Sequence, residues 1–208
     1  MKKVLKPFVL LFLLPYRQIR KHIHQIRNFF FPNLINLIKK LILFKTIPRF
    51  NQKTLCEGQG KVIIGENCSF GYKLGGFYRN GSIELQARYP SSTITIGNNV
   101  SSNNNVFLCA ANSIIIGDDT LIGQNVCIMD HEAHGVHPDK RKSIGKIGSV
   151  IIGNNVWIGN NVTILKNSEI GNNSIVAAGA VVTGKFPKDV IIGGIPAKVI
   201  RHINDEHK

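Results

Sequence analysis

Aliphatic residues recur at every sixth position through the second half of this chain: Ile152, Ile158, Ile164, Ile170, Val176 and Val182. Gly follows at 153, 159 and 171, and each of these glycines is followed by Asn-Asn. The same phrase occurs earlier as Ile64-Gly65-Glu66-Asn67, Ile96-Gly97-Asn98-Asn99, Ile116-Gly117-Asp118-Asp119 and Ile122-Gly123-Gln124-Asn125. A six-residue period is neither the 3.6 of a helix nor the 2 of a simple strand. It describes one short strand and one turn, repeated, with an aliphatic side chain buried each time. Gly, Asn and Asp suit the turn because they adopt positive φ at little cost. Such units stack by parallel backbone pairing, each burying its aliphatic residue against the next, and the expected fold is an all-β solenoid over residues 54–208.

The repeat breaks in two places. Ile96 to Ile116 spans 20 residues, and Ile128 to Ile152 spans 24 across a polar, charged stretch. A solenoid that ejects a loop commonly places function there, so an excursion at about 130–148 is the candidate site. It carries three histidines, His131, His134 and His137. His131-Glu132-Ala133-His134 is one residue short of the zinc-binding HExxH helix, and no histidine occurs between His24 and His131 to complete a metal set from another coil. No metal is expected. A solvated polar loop and a general base remain as readings.

Charge divides the chain differently. The first 53 residues hold twelve Lys and Arg and no acid, leaving residues 54–208 at a net charge of +2 out of +14. A strongly basic chain raises nucleic acid as a partner, but here the charge sits on an apolar arm, which favours an anionic membrane surface instead. Within the arm, the apolar run Phe8–Leu14 is too short to span a bilayer, which takes roughly 20 residues. No cleavage pattern of a secretory signal follows it. A second segment, 33–44, places Leu34, Leu37, Ile38, Leu41 and Ile42 at helical spacing, with Asn33 able to cap the first turn. That helix either packs against the body of the protein or a neighbouring subunit, or lies in a membrane interface. The uncompensated cations favour the interface, and with it a cytoplasmic protein peripheral to the inner membrane face. The four cysteines show no CxxC spacing and read as buried, reduced thiols.

The [Ile/Leu/Val]-Gly-x-x-x-x phrase resembles the hexapeptide repeat of left-handed parallel β-helix acyltransferases. From Asn98 to Arg201 the chain is similar to their galactoside and maltose O-acetyltransferase branch. That branch has a catalytic His, an Arg seven residues on, and a Trp-Ile-Gly about two dozen residues after the His. Here His134, Arg141 and Trp157-Ile158-Gly159 match. The resemblance implies His134 as base, with His131 the next candidate for that role or for substrate contact. It further implies Asn103 beside the reacting groups and Arg141 and Trp157 at the substrate. Asn160, Ala178, Thr183, Lys185, Lys198 and Arg201 match positions that hold coenzyme A.

The resemblance implies acetyl-CoA as co-substrate, a carbohydrate acceptor, and a homotrimer with its active sites between subunits. Joined to the arm, it points to O-acetylation of a surface-polysaccharide or lipid-linked glycan precursor. N-acylation of an amino-sugar nucleotide and a non-catalytic membrane-docking scaffold are the alternatives.

Overall fold

A computed structural model describes residues 16–204. The apolar run 8–14 lies outside the described residues. Twenty short strands wind through three parallel faces in strict rotation, and one more strand closes the end. The first face stacks Ile42–Phe44, Lys61–Ile64, Thr93–Ile96, Ser113–Ile116, Ser149–Ile152, Ser168–Ile170 and Lys185–Phe186. The second runs from Arg49–Phe50 through Ser69–Phe70, Ser101–Ser102, Leu121–Ile122, Trp157–Ile158 and Ile175–Val176 to Val190–Gly194. The third holds Thr54–Gly58, Ile83–Ala87, Phe107–Ala110, Cys127–Met129, Thr163–Ile164 and Val181–Val182. The final strand, Ala197–His202, turns back antiparallel on Val190–Gly194.

The period sets the register. Ile64, Ile96, Ile116, Ile152 and Ile170 pair directly from coil to coil and are all buried. At the corners, Asn99, Asp119, Asn155, Asn173 and Asp189 take positive φ, as do Asn105, Asn125 and Asn161. Their side chains continue the stacking. Asn99 donates to Asp119 at 2.9 Å, Asn125 to Asn161 at 2.9 Å and Asn173 to Asp189 at 2.8 Å. The turn residues therefore supply positive φ and a ladder of side-chain hydrogen bonds at once.

Two loops leave the prism. One is the expected excursion at 130–148, between the third and first faces. The other, residues 71–82, leaves between the second and third faces. Sequence reasoning missed it, although Ile64 to Ile96 spans 32 residues and so far exceeds one coil.

The N-terminal arm departs from expectation. It forms helix α1 (Tyr16–Gln25), a π-helical turn Ile26–Phe30 and a short helix α2 (Leu34–Ile38). The predicted helix over 33–44 stops at Ile38, because Ile42–Phe44 pairs with Lys61–Ile64 as the outermost strand of the first face. Val62 N–H donates to Leu41 O at 2.8 Å, and Lys45 N–H to Ile64 O at 3.1 Å. An open sheet edge offers these residues a full ladder, and that outweighs a weak helical preference. The solenoid thus begins at Ile42, not at residue 54.

Asn33 does not cap the helix through its side chain. Its amide donates to Phe29 O and Thr54 O, both at 2.7 Å, and its Oδ1 accepts from Cys56 N–H at 2.6 Å. Asn28 donates to Asn51 O at 3.0 Å, and Gln25 accepts from Phe50 N–H at 3.0 Å. Phe29, fully buried, stacks on Phe50 with centroids 3.7 Å apart, and Phe50 stacks on Phe70. A solenoid cut open at one end exposes apolar interior and unpaired backbone, so its terminal coil needs a cap. Residues 24–38 are that cap, which favours the packed reading over the membrane one for this segment.

Candidate active site

Asp130 founds the excursion. Its buried carboxylate accepts from the N–H groups of Ala111, Asn112 and Ser113 at 2.7, 2.8 and 2.7 Å. Those residues occupy the corner of the coil from Ile96 to Ile116, which is two residues longer than the regular coil from Ile152 to Ile170, and the extra length wraps the carboxylate. Asp130 Oδ1 also accepts from His131 Nδ1 at 2.9 Å. That leaves His131 Nε2 as an acceptor, and Arg88 Nη1 donates to it at 3.3 Å. Both nitrogens of His131 are engaged and its side chain is buried. This favours a positioning role for His131 at the root of the loop over the substrate contact expected of it.

Glu132 ties the loop further. It accepts from Lys146 N–H at 3.0 Å and pairs with the Lys166 ammonium at 3.1 Å. Lys146 N–H, then Lys166, hold its carboxyl below the usual range.

His134 differs from His131. It is exposed, and its Nδ1 lies 2.7 Å from the carbonyl oxygen of Arg141. A carbonyl only accepts, so Nδ1 carries the proton and Nε2 presents its lone pair outward. The seven-residue spacing from His134 to Arg141 is the span that folds Arg141 O back under the imidazole. The Arg141 side chain is used elsewhere, its Nε donating to Val136 O at 3.3 Å. His137 accepts from Asp139 N–H at 3.4 Å as part of a turn at Pro138–Lys140.

Asn103, Trp157 and Asn160 lie elsewhere on the coil. They line a cavity of about 460 Å³ on the second face, with Ser69, Tyr72 and Gly123. Asn103 Oδ1 accepts from Asn104 N–H at 2.8 Å. Above Asn160 the corner ladder stops at Ala178, and Gly179 takes its positive φ with open space where a side chain would stand. The result is a bare shelf of small residues with open space beside Gly179.

The His134 loop is anchored through Arg88, Ala111, Asn112, Ser113 and Lys166, at the corner between the third and first faces. Asn103 and Asn160 stand at the corner between the second and third faces, and Trp157 on the second-face strand beside it. One chain therefore does not bring His134 and Asn103 together. Thr183 also follows a third-face strand, and Lys185 sits on the first face, 2.8 Å from Glu169. Glu169 raises the Lys185 pKa, and this pairing argues against Lys185 as a phosphate contact. Lys198 and Arg201 lie on the closing strand Ala197–His202. Among the described residues no group of three or more His, Cys, Asp or Glu side chains is arranged to hold a metal.

A three-faced parallel β-helix with rungs of six residues and one ejected imidazole loop defines a transferase of the hexapeptide-repeat class. The model "Bacterial transferase hexapeptide (six repeats)" matches residues 149–184, and "Hexapeptide repeat of succinyl-transferase" matches 113–137. The galactoside O-acetyltransferase of Lactococcus lactis subsp. lactis (strain IL1403) is 31% identical over 92% of this chain and 91% of its own. WbbJ of Escherichia coli (strain K12), described as an O-acetyl transferase of lipopolysaccharide biosynthesis, is 35% identical over 73% of this chain and 77% of its own. The galactoside O-acetyltransferase of the same organism is 42% identical over 56% of this chain and 58% of its own.

A solved galactoside acetyltransferase in complex with coenzyme A superposes with a TM-score of 0.52 at 24% identity, covering 99% of this chain and 82% of that one. The chain belongs to the hexapeptide-repeat acetyltransferases, in the branch of the galactoside O-acetyltransferases, and its β-helix is left-handed.

Proposed function

We propose that the protein transfers an acetyl group from acetyl-CoA to a sugar hydroxyl of a surface-polysaccharide or lipid-linked glycan precursor. The observation that carries this reading is the 2.7 Å contact of His134 Nδ1 with Arg141 O. With Nδ1–H held by Arg141 O, Nε2 is a ready acceptor for the proton of an attacking hydroxyl. The acceptor oxygen bonds to the thioester carbonyl carbon as Nε2 takes its proton. The tetrahedral oxyanion then collapses, the C–S bond breaks, and the imidazolium returns the proton to the departing thiolate. Asn103 and backbone N–H groups near it are the donors this reading assigns to the oxyanion.

A homotrimer supplies what one chain lacks. The His134 loop of one subunit, set beside the Asn103–Trp157 corner of the next, completes the site. The pantetheine arm then lies along Ala178 and Gly179, and Lys198 and Arg201 are suited to its phosphates. The residues present fit this co-substrate: an open small-residue shelf, an indole wall at Trp157 that is 56% exposed, and cations on the closing strand.

Membrane association rests on the arm. Phe31, Ile35 and Ile38 are exposed on the cap beside Lys39 and Lys40, and the acid-free run 1–15 precedes them. No helix among the described residues is long and apolar enough to cross a membrane.

The test follows free thiol released from acetyl-CoA with a panel of mono- and oligosaccharide acceptors. Thiol release that requires a sugar, and an ester-bearing product by mass spectrometry, support the reading. An amide product transfers it to the N-acylation class, and no release with any acceptor removes it. Lys198→Ala with Arg201→Ala should weaken acetyl-CoA binding roughly tenfold or more, since each charge-assisted bond contributes about 1.5–3 kcal/mol.

A further inference from the structure

The 71–82 loop and the cap close a second cavity, of about 830 Å³, along the same corner as Asn103. Its walls carry Arg27, Lys53 and Arg79, with His24, Tyr78 and Asn51 between them. No acid lines it. The two stretches that build it contain none, since the first acid in the sequence is Glu57 and none occurs between Glu66 and Glu84. Lys53 and Arg79 are exposed and make no ion pair with any described residue. Lys73, from the same loop, adds to the field: burial first, then the charges of Arg27 and Lys73, lowers the His24 pKa against the opposing hydrogen bond to Asn51 O.

Asn51 lines both this cavity and the one that holds Asn103, and the 71–82 loop walls both, with Tyr72 in one and Tyr78 in the other. The basic cavity is therefore adjacent to the one lined by Asn103. We propose that the basic cavity is a subsite for a phosphate-bearing acceptor, a glycosyl phosphate or diphosphate, whose sugar extends toward Asn103. This rests on the O-acetyltransferase reading above.

Two guanidinium groups offer planar forks that match phosphate oxygens, and Lys53 adds a point charge. Three cations with no anion repel one another and leave a field that a phosphate ester neutralises and a neutral sugar does not. The phosphates of coenzyme A are poor candidates for this site. Lys198 and Arg201 lie at the opposite end of a stack whose first face has seven strands. At about 4.8 Å per strand spacing, the two ends are roughly 30 Å apart.

The experiment compares galactose with galactose 1-phosphate and UDP-galactose as soluble acceptors, and with a polyprenyl-diphosphate-linked galactose in phosphatidylcholine vesicles. Thiol release gives kcat/KM for each. The phosphorylated forms should exceed galactose at least tenfold, and Arg27→Gln with Arg79→Gln should reduce that ratio to near one. A lipid source is distinguished by a vesicle-borne acceptor that outperforms both soluble phosphates.

Inorganic pyrophosphate titrated calorimetrically into the unreacted protein gives a readout free of catalysis. It should bind wild type and lose at least tenfold in affinity in the double variant. The single variant Arg79→Gln, on the loop and away from the cap, should show part of the same loss if the double variant folds poorly. A ratio unchanged by the substitutions, pyrophosphate binding unchanged by them, or an equal loss of acetyl-CoA affinity overturns the proposal. Absence of thiol release with every sugar, beside intact pyrophosphate binding at these arginines, would remove the transferase reading alone.

Discussion

The imidazole of His134 donates from Nδ1 to the carbonyl oxygen of Arg141 at 2.7 Å, while His131, three residues earlier, has both ring nitrogens bound to Asp130 and Arg88. Two histidines of one loop thus have opposite capacities. Replacing His134 by Ala should lower turnover by about 10²–10⁴ with little change in melting temperature, because an exposed loop side chain supports little packing. His131→Ala should instead lower the melting temperature, since it strips a partner from the buried Asp130 carboxylate. Arg141→Ala should affect turnover far less than His134→Ala, as the acceptor is a main-chain oxygen. Paired kinetics and thermal melts on the three variants check this, and an active His134→Ala protein removes it as base.

Complementation tests the shared site. His134→Ala and Asn103→Ala homotrimers should each be nearly inactive. Unfolded together in equal amounts and refolded, they should recover about a quarter of wild-type activity, because a quarter of random interfaces then pair an intact His134 with an intact Asn103. No recovery would mean that both residues act within one subunit.

The cap has its own consequences. Phe29 and Phe50 are both fully buried and stack 3.7 Å apart, so Phe29→Ala should cost about 3–5 kcal/mol. A chain starting at Lys53 should aggregate, because it lacks the first strands of two faces together with their cover. A chain starting at Tyr16 should fold. If the acid-free run 1–15 carries membrane attachment, only the full chain should sediment with anionic liposomes, and salt should release it. Equal sedimentation of both chains would assign attachment to the exposed Phe31, Ile35 and Ile38 instead.

The thiols bear on any assay that reads free thiol. Burial raises the pKa of all four cysteines, with Cys109 pushed up to about 11, and Cys56, Cys68 and Cys109 are buried. At pH 8 about 0.1% of Cys109 is thiolate, before its lack of exposure is counted. Ellman's reagent should find at most one slow thiol in the native protein, the half-buried Cys127, and all four after unfolding in guanidinium. Three fast native thiols would contradict the packing of the first coils.

The six-residue period was enough to read the stacked strands and the positive-φ turns, because each hexapeptide contains its own strand, its own turn and its own buried residue. The number of faces and the handedness were legible only through resemblance. The loop at 130–148 was legible as an interruption of that period. The spacing of His134 to Arg141 was legible through resemblance, though not its cause, a hydrogen bond to a backbone oxygen that no side-chain pattern records. The arm was not legible in this way. Leu41 and Ile42 read as part of a helical stripe in isolation, and Ile42–Phe44 becomes a strand only because Lys61–Ile64 leaves an open edge beside it. Asn33 reads as a cap and serves as a bridge, because Thr54 and Cys56 present backbone groups that it can reach only once the coil is closed.

The same limit holds for the basic cavity. Arg27 and Arg79 lie 52 positions apart, in segments without a repeat, and their convergence depends on the cap packing against the 71–82 loop. Period and composition act locally along the chain, whereas a cavity is a property of surfaces that meet only after folding.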